Sequence, residues 1–69
     1  MVYYYLKGTD WHHVGDDGGQ AFMSAKKHGS SLVVGVTRTD GDAEIWVRKG
    51  ERWEVGSKQD LGDYELPKM

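Results

Sequence analysis

At 69 residues the chain has room for one domain, and a core of that size gives only marginal stability without a disulfide, a metal or a partner, so self-association is a natural expectation. The absence of cysteine excludes a disulfide framework and a thiolate zinc site, which favours a cytoplasmic protein over a secreted mini-protein scaffold. A formal charge of -2 excludes the electrostatic footprint of a duplex DNA binder, whose affinity comes largely from phosphate neutralisation, although a local basic patch is compatible with it.

No stretch joins basic residues to a long apolar run, and no apolar run is long enough to cross a bilayer, so neither targeting nor membrane insertion is expected. The chain begins with Val2-Tyr3-Tyr4-Tyr5-Leu6, a β-rich run, followed by the turn residues Lys7-Gly8-Thr9-Asp10 and then Trp11-His12-His13-Val14-Gly15. This reads as a hairpin, or else as one edge strand followed by a long loop through Val14. A short echo links Lys7-Gly8-Thr9-Asp10-Trp11 to Lys49-Gly50-Glu51-Arg52-Trp53, which is better explained by shared turn chemistry than by duplication.

Asp16-Asp17-Gly18-Gly19-Gln20 then opens the one expected helix, with Asp17 as N-cap and Gln20 in the capping-box position. The helix should run to about His28 and stop at Gly29, with Lys26, Lys27 and His28 favouring the negative end of its dipole. Its apolar side gathers Ala21, Phe22, Ala25 and His28. Phe22 is the expected anchor on the sheet, and the alanines allow close approach.

Residues 32–55 read as a three-stranded antiparallel meander. Asp40-Gly41 between two β-rich runs predicts a two-residue type I′ turn, because that turn needs positive φ at both central positions. The turn would set Val36 opposite Ile45, Val34 opposite Val47 and Gly35 opposite Trp46. A second loop centred on Gly50 would set Ile45 opposite Val55 and Val47 opposite Trp53. The aliphatic face is then the expected seat of the helix. The opposite face should carry Val33, Gly35, Thr37, Glu44, Trp46, Arg48, Arg52 and Glu54, with Trp46 partly exposed over Gly35. Residues 57–69, with two glycines and a proline, are expected to be irregular or to hold a short strand at 64–66, with Leu61, Tyr64 and Leu66 folding back over the core margin. The predicted class is α+β in the order ββαβββ, one helix lying on one face of an antiparallel sheet.

Chemistry-bearing motifs are sparse. Asp16-Asp17-Gly18-Gly19 has neither the ending of a phosphate loop nor the spacing of a dinucleotide fingerprint, and its carboxylates would repel phosphate, so capping explains it better. His12 and His13, adjacent on a strand, point to opposite faces and make a poor shared metal site. No catalytic, metal or cofactor-binding residues are therefore expected. The face bearing Trp46, Arg48, Arg52, Glu44, Glu54 and Thr37 is the candidate binding surface, since Trp and Arg are enriched at interface hot spots. The function this favours is a non-catalytic accessory or inhibitory module that binds a larger protein or its own copy. One alternative is a single-stranded nucleic-acid binder stacking bases on Trp46 beside Arg38, Arg48, Lys49 and Arg52, disfavoured by Glu44, Glu54 and net charge. A less favoured one is a small nuclease using His12 or His13 with Glu44 or Glu54 and an arginine.

Overall fold

A computed structural model describes residues 1–37, 39, 42–62 and 64–67. The described residues form β1 (Val2–Lys7), β2 (Asp10–Gly15), α1 (Gly18–Lys27), β3 (Leu32–Val36), β4 (Ala43–Lys49), β5 (Arg52–Val55) and a one-turn helix, α2 (Lys58–Leu61). The strands make one antiparallel sheet in the order β2-β1-β3-β4-β5. This is the expected ββαβββ arrangement of an α+β fold, with α2 added after it.

The two outer hairpins turn in the same way. Gly8 has φ 64° and Gly50 has φ 66°, whereas Thr9 and Glu51 do not have positive φ. Each loop therefore follows the Gly-X pattern of a type II′ turn, in which glycine alone takes the left-handed position. Lys7 pairs with Asp10 and Lys49 with Arg52, so the sequence echo is a repeated turn at two corners of one sheet.

The helix ends follow the sequence closely. Asp17 Oδ1 accepts from the Gly19 N–H at 2.9 Å and the Gln20 N–H at 3.4 Å, which satisfies two of the donors a helix start leaves open. At the far end the Gly29 N–H donates to the Lys26 carbonyl and the Ser30 N–H to the Ala25 carbonyl, at 3.2 and 2.8 Å. With Gly29 at φ 75° this is a Schellman motif.

Two expected registers are corrected. Val36 pairs with Ala43, Val34 with Ile45 and Leu32 with Val47, so β4 is displaced by two residues from the pairing that a two-residue turn would give. The side-chain faces survive because the displacement is even. The Asp40-Gly41 turn itself lies outside the described residues, but the Thr37 N–H donates to the Asp42 carbonyl at 2.8 Å, so pairing continues up to both sides of residues 38–41. In the second hairpin Trp46 pairs with Val55 and Arg48 with Trp53. Because its loop holds two residues instead of the expected three, β5 is displaced by one and its faces exchange.

The helix lies on the other face from the one expected. Ala21 and Ala25 are fully buried against Val33 and Tyr5, and Tyr3, Val14, Phe22, Trp46 and Trp53 complete that cluster. The aliphatic face, Leu32, Val34, Val36 and Ile45, is covered instead by Leu61 of α2, with Trp11 and Leu66 packed alongside. Sheet, helix and C-terminal segment thus make three layers.

Glycines permit both close approaches. A Cβ on Gly35 would lie 2.9 Å from Tyr3 Cε1 and 2.6 Å from Met1 Sδ, so Tyr3 and Met1, not Trp46, cover this strand glycine. The same Tyr3 ring sits against Gly18 at the start of α1. A Cβ on Gly56 would lie 2.8 Å from Val47 Cγ2, which lets the chain leave the sheet across Val47 and lay α2 on the aliphatic side. Asp60 Oδ2 then accepts from the Ser57 N–H at 2.7 Å. The Trp11 indole N–H donates to the Glu65 carbonyl at 2.7 Å, tying the last described segment to β2. Among the described residues, 64–66 form no strand.

Candidate functional site

The six residues expected to share one binding face are divided by the sheet. Trp46, Arg48 and Glu44 lie on the α1 side of β4, opposite Val33 of β3, Trp53 of β5 and Gly35 of β3 respectively. Thr37 lies just beyond β3, where its N–H bonds to Asp42. Arg52 and Glu54 lie on the other side with Val47 and bond to each other, Arg52 Nη2 donating to Glu54 Oε1 at 2.9 Å. The exchange of faces in β5 accounts for this division.

Trp46 is half-buried, as expected of its exposure but not of its surroundings. Phe22 meets it edge-on at 5.7 Å and meets Trp53 at 5.0 Å with planes tilted by 31°. These are the offset geometries aromatic quadrupoles favour. The indole faces expected to be open are therefore partly covered by the helix.

The histidines are likewise separated by the pleat. His12 stacks on Tyr5 with centroids 5.2 Å apart, and His28 at the end of α1 stacks on the same ring at 5.3 Å. His13 stands edge-on to Tyr4 at 5.4 Å on the opposite side. Among the described residues no three His, Asp or Glu side chains gather as a metal site. Buried side-chain polar atoms there all have hydrogen-bond partners; the Ser30 hydroxyl, for example, bonds to both the N–H and the carbonyl of Leu32. No helix among the described residues is long and apolar enough to cross a membrane.

Among the described residues the sheet leaves one regular edge open, at β5. The Gly56 N–H donates to the Ile45 carbonyl at 2.7 Å, which marks that position as a hydrogen-bonded pair. Antiparallel alternation then makes Val47 with Glu54 and Lys49 with Arg52 hydrogen-bonded pairs too. The main-chain N–H and C=O groups of Trp53 and Val55 consequently point away from β4, to the side where the sheet ends. Val55 is 73% exposed. At the opposite end, β2 is an edge as well, but its pairing shifts between Tyr3 and Tyr4, leaving Val14 as a bulge. A bulge of this kind twists an edge and interrupts its row of donors and acceptors.

The open edge runs into a cleft. β5 stops at Val55, opposite Trp46, while β4 extends further to Ala43. The chain turns into α2 here and leaves a volume of about 680 Å³ lined by Ala43, Glu44, Trp46, Val55, Ser57 and Leu66, among others. Apolar walls of Trp46, Val55 and Leu66 thus adjoin exposed main-chain groups and the Glu44 carboxylate. Such a place can hold an extended segment by main-chain hydrogen bonds while side chains enter the cleft. Sequence reasoning named Trp46 and Glu44 but missed Val55, Trp53 and the cleft, all of which depend on the register of β5. The repeated Lys-Gly-X-X-Trp turn was the available signal.

No family model, curated protein or solved structure matches the chain.

Proposed function

We propose that this chain is a non-catalytic protein-interaction module that takes an extended segment of a partner onto the β5 edge and into the adjoining cleft. The observation that carries this reading is Val55, exposed on a terminal strand with its main chain directed outward and its side chain at the mouth of the cleft. Strand addition draws affinity from main-chain hydrogen bonds and specificity from side-chain pockets. Trp46 lines that pocket, and Glu44 gives it an acidic rim.

The test is selection from a displayed library of random peptides, followed by amide chemical-shift mapping. Selected peptides should perturb the amides of Trp53, Val55 and Ala43 to Trp46. Val55→Pro should remove binding while leaving the fold intact, because proline is tolerated on an edge where the lost N–H faced solvent. Ligands that map elsewhere and bind Val55→Pro normally would overturn the reading.

A further inference from the structure

We infer that the partner this edge fits is a second copy of the chain, joined β5 to β5 in antiparallel fashion about a two-fold axis at Trp53. This rests on the reading of β5 as an interaction edge and adds to it the identity and register of the occupant. Small domains gain stability from such association, and a closed two-fold contact uses the same surface on both copies.

The register follows from main-chain direction and charge. Within β5 only Trp53 and Val55 offer outward main-chain groups, so a hydrogen-bonded pair across the edge must join odd-numbered positions. With the axis at Trp53, the two Trp53 residues face each other, Val55 faces Glu51 of the second copy, and Arg52 faces Glu54 of the second copy twice over. Arg52 and Glu54 share the side of β5 away from α1 and bond within the strand at 2.9 Å. Two copies would therefore form an alternating square of two arginines and two glutamates, with every near neighbour opposite in charge. Moving the axis to Glu54 would instead set the two Glu54 carboxylates directly opposite each other, in the position where cross-strand side chains are closest, and like charges there are destabilising. On the α1 side the Trp53 axis brings the two indoles together beside Phe22, covering rings that the protomer leaves half-open. Each end of the combined sheet would then be a bulged β2.

Sedimentation equilibrium from low micromolar to millimolar concentration tests this on the wild type, R52E, E54R and an equimolar mixture of the two variants. The wild type should dimerise. Each variant alone sets like charges opposite each other twice and should dimerise about tenfold more weakly or worse. The mixture should regain association, because the carboxylate introduced at position 52 of one variant then faces the guanidinium introduced at position 54 of the other, and the retained Glu54 faces the retained Arg52. Circular dichroism establishes that each variant is folded, and the outward-facing amides of Trp53 and Val55 should gain exchange protection on dimerisation. A wild type that stays monomeric throughout, or an R52E variant that dimerises like the wild type, would overturn the second copy as occupant. A monomer whose peptide ligands are still lost in Val55→Pro would leave the edge reading standing, whereas indifference of both peptide binding and dimerisation to Val55→Pro would overturn both.

Discussion

The Phe22 ring stands edge-on to Trp46, centroids 5.7 Å apart and planes at 78°, which pins the middle of α1 to the sheet face that carries Trp46 and Trp53. Phe22→Ala should therefore destabilise the fold by about 3 kcal/mol, the cost of removing an aromatic anchor from a packed site. Urea denaturation measures this, and a variant retaining Trp46 alone should show red-shifted emission once the covering ring is gone.

On the other face, Val36→Ala and Ile45→Ala should each cost about 2 kcal/mol or more, since both side chains are buried against Leu61 and their loss leaves a cavity that a short α2 closes only in part. Values within error of the wild type in the same denaturation series would refute the core assignment.

Gly35→Ala should destabilise by about 1 to 3 kcal/mol through overpacking. Met1 can swing aside, but the Tyr3 ring is held between Gly35 and Gly18. A Gly35→Ala, Tyr3→Leu double variant should lose less than the sum of the single changes, which a double-mutant cycle reads directly.

Trp11→Phe removes the indole N–H that reaches the Glu65 carbonyl at 2.7 Å and should cost about 1 kcal/mol. The more telling readout is local. Limited proteolysis should cut faster after Leu61 in the variant, with little change elsewhere.

The elements of this fold were legible in the sequence because local chemistry decides them. Asp17 caps α1, Gly29 stops it, and Gly8 turns the first hairpin, each by an interaction between near neighbours in the chain. What escaped were quantities set by loop length and by which layer covers which face. Placing one extra residue in the Gly50 loop sent Arg52 and Glu54 to the wrong side and put Val55 with the core, although it is exposed. The side chosen by α1 was unreadable from alternation, because both sheet faces are apolar. Leu32 to Val36 is a continuous apolar run, and a strand of that kind is usually covered on both sides; all of its residues are buried. Tyr3 and Tyr5 on one face of β1, with Tyr4 and Leu6 on the other, repeat that message. The candidate site was thus half legible, in Trp46 and Glu44 but not in the edge that gives them a use.

The strand order also bears on how the chain reaches this fold. Every neighbouring pair of strands is a hairpin between consecutive elements except β1 with β3, which closes over residues 8–31. The hairpins can form locally and quickly, whereas zipping β1 to β3 must meet the entropy of closing that longer loop. With its ends capped by Asp17 and Gly29, α1 shortens the loop before it closes. Substitutions along the Tyr5 and Val33 seam, such as Val33→Ala, and in the Lys-Gly turns that form ahead of it should therefore mainly slow refolding, with little effect on unfolding. Stopped-flow chevrons separate the two rates. The central strand, although last to gain its second neighbour, then governs the pace of the whole molecule.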